Sequence, residues 1–324
     1  MRLADHLGRW KMRWAVARLR YGVPPGLYAV GHPTPDSPVL VSANYKMSFD
    51  RLRSRLAGVD AWILVLDTKG VNVWCAAGKG TFGTDELVRR IAAVGLIDVT
   101  SHRTVVVPQL GAPGVAAHEV RKRSGFRVVY GPVRAEDIPA FLAAGMKAAP
   151  PMRQVRFPLG DRVALIPVEL VLSAKYVLLL AAAFLVLGGL GADGYSLARA
   201  AGAGLSSAGL FLAASAGSIV LAPALLPWLP GRALSLKGFW VGLLLLAGLL
   251  APVGLRSALL EDWPSTIAWC LLVPAVASFL AMNFTGATTY TSLSGVRREM
   301  RVAVPVQATA GLLGAVLWLV GRFV

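Results

Sequence analysis

The second half of this 324-residue chain leaves little choice of fold. From Ala164 onward the sequence is dominated by long runs of Leu, Ala, Val and Gly, and five of them approach the length a helix needs to cross a bilayer. They run from about Leu170 to Leu190, Gly204 to Leu226, Gly238 to Leu255, Thr266 to Phe284 and Val304 to Val324. A mean hydropathy of +0.60 is too apolar for an ordinary soluble protein. Residues 170–324 are therefore read as an all-α transmembrane domain of five helices, preceded by a linker over 158–169.

The first half is different in kind. Up to Val163 it carries 24 Lys and Arg against 12 Asp and Glu, so +12 of the chain's net +16 lies there. A basic domain tied to a membrane faces the anionic cytoplasmic leaflet. No helix-turn-helix, zinc-finger or RNA-binding signature accompanies the charge, so nucleic acid is not an expected partner. The loops agree: "GRALSLK" and "SGVRREMR" carry Arg232, Lys237, Arg297, Arg298 and Arg301, while "GADGYSLARA" and "RSALLEDW" carry one Arg each. The positive-inside rule then puts the N-terminal domain in the cytoplasm, anchored to a cytoplasmic (inner) membrane by a multi-pass segment, with the C-terminus outside.

Residues 1–37 form a basic amphipathic segment. Leu3, Leu7, Trp10, Trp14, Ala17 and Tyr21 recur at helical spacing among Arg9, Arg13, Arg18 and Arg20, and Arg and Lys interrupt the run too often for a secretory signal. Such a helix either lies on a membrane surface or packs on the globular domain.

Residues 38–157 alternate β-branched runs with amphipathic stretches. The strand candidates are "PVLVSA", "AWILVLD", "RTVVVP" and "RVVYGP"; the helix candidates are Phe49 to Leu56, Asp85 to Gly95, Val115 to Ser124 and Glu136 to Ala144, with Thr84 as a cap for the second. The strands lack alternating polarity, as in a parallel sheet covered on both sides. This is the pattern of a doubly wound α/β domain, which binds ligands beyond the carboxyl ends of its strands. The segments there are Asn44-Tyr45-Lys46, Asp67-Thr68-Lys69 continuing into "GVNVWCAAGKGTFGT", Pro108-Gln109-Leu110-Gly111, and Gly131-Pro132.

That continuation holds Cys75, one of only two cysteines. It is not a phosphate-binding loop, because Val73 stands where G-x4-G-K-[ST] requires glycine and Gly80 follows Lys79. His6, His32, His102 and His118 are none of them close in sequence to activate a nucleophilic thiol. A lone cysteine is commonly a small apolar core residue; otherwise it can be one axial ligand of a metal whose remaining positions a macrocycle fills. Cys270 lies within a span and is expected to pack there. Two cysteines cannot hold an iron–sulfur cluster, so any electrons must come from a partner. The spans contain few ionisable groups, Glu169 and Lys175 standing at the start of the first, and offer no evident ion pathway. "MNFTGATTYTSLSG", Met282 to Gly295, is rich in hydroxyls and serves either helix capping or contact with the α/β domain.

"NVWCAAGKGTFGT", "PQLGAPGVAAHEVRKRSGFRVVYGPVRAEDIPAFL" and "NFTGATTYTSLSGVRREMR" together resemble the mercury-methylating corrinoid proteins of the HgcA family, relatives of the corrinoid-binding large subunit of the corrinoid iron–sulfur protein. The resemblance covers the chain from about Ser42 and implies a Rossmann-like corrinoid-binding domain ahead of five spans. It implies that Asn72, Val73, Trp74, Cys75, Ala76, Ala77, Gly78 and Lys79 form a cap helix beside a cobalamin-type corrinoid, with Cys75 as the lower axial ligand of cobalt and the catalytic residue. Asn44, Tyr45, Asp67, Thr68, Gln109, Leu110, Gly111, Ala112, Pro113, Gly131 and Pro132 would line the cofactor site. No D-x-H-x-x-G arrangement offers a histidine ligand in place of the thiolate. The implied activity is transfer of a cobalt-bound methyl group to inorganic Hg(II), giving methylmercury. The methyl group would come from a methyl-folate pathway, and a ferredoxin-like iron–sulfur protein, HgcB, would return the cobalt to its reduced state. A corrinoid methyl carrier with another acceptor, or a membrane metal sensor binding an ion directly through Cys75, are the other readings.

Overall fold

The computed structural model describes residues 3–16, 21–250, 262–284 and 293–324. The chain divides into two compact units, Met1–Arg156 and Phe157–Val324.

In the first unit, five strands form one sheet in the order β1-β3-β2-β4-β5: β1 Gly26–Val30, β2 Val39–Ala43, β3 Ala61–Leu66, β4 Thr104–Val107 and β5 Arg127–Tyr130. The four expected strands are β2 to β5, and they are mutually parallel. All five residues of β2 are buried, which is why its sequence shows no polar alternation. β1 comes from within the segment read as amphipathic. It pairs antiparallel with β3, from Gly26 opposite Val65 to Val30 opposite Ala61, and covers that edge of the sheet.

Helices cover both faces, as a doubly wound sheet requires. They are α1 Leu3–Arg13, α2 Lys46–Arg53, α3 Val73–Lys79, α4 Thr84–Ala93, α5 Leu96–Val99, α6 Ala117–Ser124 and α7 Ile138–Ala143. On one face Val39, Val41, Leu64, Leu66, Val105 and Val107 pack against Leu87 and Ile91 of α4 and Val120 of α6. On the other, Leu40, Ile63, Val65 and Val106 meet Phe49 and Leu52 of α2 and Ile138 and Phe141 of α7. Each fully buried aliphatic side chain contributes about 1.5–3 kcal/mol.

Thr84 does not cap α4. Gly83 holds the cap position with extended backbone, and a Cβ there would come within 2.9 Å of the Gly80 carbonyl oxygen. Thr84 is the first helical residue, and its Oγ1 accepts the Ala116 N–H at 2.9 Å, tying α4 to the chain entering α6.

α1 packs on the globular domain, one of the two roles expected of it. Met12 is buried and Asp5 accepts from Lys46 and Arg53 at 2.7 and 2.6 Å, docking the helix on α2. Leu3, Leu7, Trp10 and Trp14 remain exposed, with the Trp10 and Trp14 rings 6.0 Å apart. Ala17, Arg18 and Arg20 lie outside the described residues.

The second unit is helical, and residues 158–169 already belong to it: a short helix, Leu159–Val163, leads into Ile166–Leu187. Four helices, rather than five, are long and apolar enough to cross a membrane among the described residues: Leu159–Leu187, Leu197–Leu225, Trp263–Asn283 and Gly295–Val320. The run expected as the third span appears as Leu234–Leu250, 17 residues. Residues 251–261, where that run would continue, lie outside the described residues, as do residues 285–292 of the hydroxyl-rich segment.

The unit's interior is built on Phe184, whose ring lies 5.3 Å from Phe211, 5.5 Å from Trp269 and 4.8 Å from Trp318. Arg162, 4% exposed, donates to the Pro223 and Ala224 carbonyls at the end of Leu205–Leu225, at 2.9 and 2.7 Å. A cation among the unpaired carbonyls of a helix C-terminus is favourably placed. Cys270, expected to pack within the bundle, lies on the exposed side of Trp263–Asn283 instead.

Candidate functional site at the carboxyl edge of the sheet

Sheet order decides where a ligand can enter. From β2 the chain passes to β3 on one side, then crosses to β4 and β5 on the other, so the winding reverses between β2 and β4. The ladder between these two strands holds only Val39 opposite Val105 and Leu40 opposite Val106. Beyond it a cleft of about 100 Å³ opens, lined in part by Ser42, Val73, Pro108, Gly131, Pro132 and Ile138. This is the switch-point crevice where open α/β sheets bind ligands.

All four expected loops lie at this edge, and hydrogen bonds join them in pairs. Asn44, 9% exposed, follows β2; its Oδ1 accepts the N–H groups of Thr68 at 3.1 Å and Gly70 at 2.9 Å in the loop after β3. The Thr68 hydroxyl lies 2.8 Å from the same oxygen and 2.6 Å from the Val71 carbonyl. On the other side, the Gln109 N–H donates to the Pro132 carbonyl at 3.4 Å, and Arg153 donates to the Gln109 side chain. Tyr45 starts α2, and Lys46 is held by Asp5 and Asp50.

The Asp67–Val71 loop is shaped for a reversal. Lys69 and Gly70 are successive left-handed residues, at φ 58° and 72°. Glu86 of α4, 8% exposed, accepts the Asp67 N–H at 2.8 Å and guanidinium donors from Arg90 at 2.8 Å and Arg89. Burial alone would push its carboxyl up, but these donors outweigh it and hold the group below the ordinary carboxylate range. The Lys69 ammonium, 2.6 Å from Asp67, lowers the Asp67 carboxyl in the same way.

The loop delivers the chain to α3. Asn72 is its N-cap, with Oδ1 accepting the Cys75 N–H at 2.9 Å. Ala76 and Ala77, 0% and 7% exposed, turn inward with Val73, one helical turn apart. They pack on the 3-10 turn Gln109–Gly114, which holds Leu110, Gly111, Ala112 and Pro113. Glycine is needed here: a Cβ on Gly114 would stand 2.1 Å from the Phe82 carbonyl oxygen and 3.2 Å from Ala77 Cα.

Cys75 therefore falls on the other side of α3. It is half-buried, Trp74 beside it is half-buried, and Gly78 and Lys79, three and four residues on, are exposed. A Cβ at Gly78 would meet nothing within 4 Å. Of the small residues after the cysteine, two fill the protein's own core and one leaves the surface beside the thiol bare. The thiol and the cleft are distinct: Val73, Pro108, Gly131 and Pro132 line the crevice, while Cys75 does not.

Among the described residues no group of three or more His, Cys, Asp and Glu side chains could hold a metal ion. The donor set is a single sulfur beside an uncovered face. It fits a metal already held in a planar macrocycle, for which one axial position remains to be filled. The crevice has room for a substituent of such a ring rather than the ring itself.

Sequence reasoning missed Ser42, Ser48 and Val133, which also line the crevice. Ser42 carried a signal, being a hydroxyl inside an otherwise apolar, fully buried strand.

Residues 18–142 match the family model described as CO dehydrogenase/acetyl-CoA synthase delta subunit. Similar curated proteins are gamma subunits of acetyl-CoA decarbonylase/synthase complexes. The Methanopyrus kandleri subunit is 32% identical over 122 residues, 37% of this chain and 26% of that protein. The Archaeoglobus fulgidus subunit is 30% identical over 122 residues, again 37% and 26%. That of Methanosarcina acetivorans is 32% identical over 129 residues, 39% of this chain and 27% of the relative. The chain thus spans about a quarter of the length of these relatives. The family match ends before the helical unit begins.

Proposed function

We propose that the chain is a membrane-anchored, corrinoid-dependent methyltransferase that passes a methyl group to inorganic Hg(II). The observation that carries this reading is Cys75: one half-buried thiol on the outer side of a capped helix, with Gly78 leaving the adjacent surface open, at the ligand edge of a domain similar to acetyl-CoA complex subunits.

When bound, a corrinoid supplies a cobalt centre that takes up and releases a methyl group. Cys75 would hold the corrinoid through its thiolate, an electron-rich donor that would favour release of methyl with its electrons, the polarity an electrophilic Hg(II) substrate needs. Asn72 fixes the backbone that carries Cys75, and Trp74 and Gly78 would contact the bound group. Asn44 and Thr68 set the loop leading to α3, and Ser42, Gly131 and Pro132 would receive part of that group in the crevice. Electrons come from a ferredoxin-like iron–sulfur partner of the HgcB type, and the methyl group from a methyl-folate donor. The apolar helices hold the domain at the cytoplasmic face of the inner membrane.

The similarity to acetyl-CoA decarbonylase/synthase subunits favours a second reading, a corrinoid methyl carrier whose acceptor is not mercury. Full-length protein purified in detergent separates the two. It is expected to contain about one cobalt corrinoid per chain, and Cys75→Ala is expected to change the visible spectrum and abolish methylmercury formation. A coloured protein that methylates other thiophilic acceptors but not Hg(II) selects the carrier. A colourless, cobalt-free protein that methylates normally overturns both.

A further inference from the structure

Gln307, midway along the helix Leu293–Val320, is 8% exposed. Its Nε2 donates to Ser278 Oγ at 2.8 Å, and Ser278 Oγ in turn donates to the Ser235 carbonyl at 2.8 Å. The one hydroxyl proton of Ser278 is committed to Ser235, so Ser278 can only accept from Gln307. This fixes the amide with Oε1 turned away. That Oε1 has no hydrogen-bond partner among the described residues. An orphaned acceptor is costly anywhere in an interior, and more so in a spanning helix that bulk water does not reach.

The same residue lines a cavity of about 750 Å³. Its walls include Tyr176, Phe211, Phe279, Ala308 and Gly311, drawn from the helices Ile166–Leu187, Leu205–Leu225, Trp263–Asn283 and Leu293–Val320. The volume falls in the range of small-molecule sites, and the chemistry matches their usual pattern of apolar and aromatic walls with few polar groups. Position along the helix narrows the ligand. Gln307 lies six residues beyond Arg301, the last charged residue before it, or about 9 Å at the helical rise. A charged headgroup stays at the interface rather than descending that far. The donor that reaches Oε1 is then a neutral hydroxyl, and three aromatic side chains around it suit a ring.

We infer that this cavity binds a lipid-soluble phenol of the hydroquinone class, whose hydroxyl donates to Gln307 Oε1 while its apolar tail follows the groove toward Gly311. The inference is independent of the corrinoid reading, since it involves only residues of the helical unit.

The test uses the full chain in phosphatidylcholine nanodiscs under anaerobic conditions, with decylubiquinol as the probe and protein-free nanodiscs as the partitioning baseline. Saturable binding above the baseline, at one site per chain, is expected. Gln307→Leu should weaken it about tenfold, as loss of one buried hydrogen bond implies. Ala308→Phe, at an exposed position on the cavity wall, should fill the groove and abolish it. Decylubiquinone, which lacks the hydroxyl donors, should bind at least tenfold more weakly to the unaltered chain; this comparison holds even where a variant fails to fold. Non-saturable uptake, equal affinity for quinone and quinol, or binding untouched by a folded Gln307→Leu variant would overturn the inference.

Discussion

Asn44 and Thr68 stand at the carboxyl ends of neighbouring parallel strands, and the Thr68 N–H reaches the Asn44 side-chain oxygen at 3.1 Å. The same oxygen takes the Gly70 N–H at 2.9 Å, so one side chain holds the loop that leads to Cys75. Asn44→Ala leaves these donors without their partner and should cost about 2–4 kcal/mol. Asn44→Asp keeps the acceptor and should cost less. Amide exchange across residues 67–80 of the full chain reads the difference, and uniform exchange in all three proteins would remove Asn44 from this role.

Asn72 caps α3 through the Cys75 N–H. Asn72→Ala is expected to cost about 1 kcal/mol, the usual loss of an N-cap, and to raise exchange at residues 75–77. Corrinoid retained through dialysis should fall in parallel, with Asn72→Asp recovering both. Unchanged exchange with full cofactor retention would count against it.

The acid limb of stability should carry the mark of Glu86. Its folded-state carboxyl ionises below the ordinary value of 4.5, so its contribution is present above that pH and drains away as pH falls toward the lowered value. Glu86→Gln removes the charge that the Asp67 N–H, Arg89 and Arg90 surround, and should cost about 1–3 kcal/mol at pH 7. Near-UV circular dichroism during thermal melting, from pH 7 to 3, should show a shallower acid decline in the variant. Identical slopes would exclude Glu86 as a contributor.

The exposed stripe Leu3, Leu7, Trp10 and Trp14 should enter the headgroup region of anionic membranes, with Arg9, Lys11 and Arg13 beside it. A Leu7→Cys variant lacking Cys75 and Cys270, labelled with a polarity-sensitive dye, should emit further to the blue in nanodiscs with phosphatidylserine than in detergent. Emission identical in both would confine α1 to packing on α2.

Legibility in the sequence followed how local the signal was. β2 to β5 stood out because short, largely apolar runs rich in Val and Ile, such as "VLVSA" and "AWILVL", read as buried strands, and their order fixed which loops share an edge. β1 was missed because "GLYAV" is short and partly exposed, and its pairing with β3 is made across more than thirty residues of chain. Thr84 misled because the capping rule takes no account of how near the Gly80 carbonyl comes to Gly83. Of the five expected spans, four are long apolar helices among the described residues, and the third runs on into residues 251–261, outside them. At the site, the gathering of the loops at the carboxyl edge of the sheet was readable from the order of the strands. That Ala76 and Ala77 face the core while Gly78 faces outward depended on helical phase against the 109–114 turn, a tertiary fact.

The left-handed pair Lys69-Gly70 makes the stretch from the end of β3 to Cys75 a ruler of fixed length. One residue added between Asn72 and Cys75 would turn the sulfur about 100° around α3, toward the side that Ala76 and Ala77 fill. One removed would turn it the other way, with the Ala76 N–H in the place of the capped donor. Spacing between Asn72 and Cys75 thus sets the direction of the thiol as firmly as the side chains of the segment do.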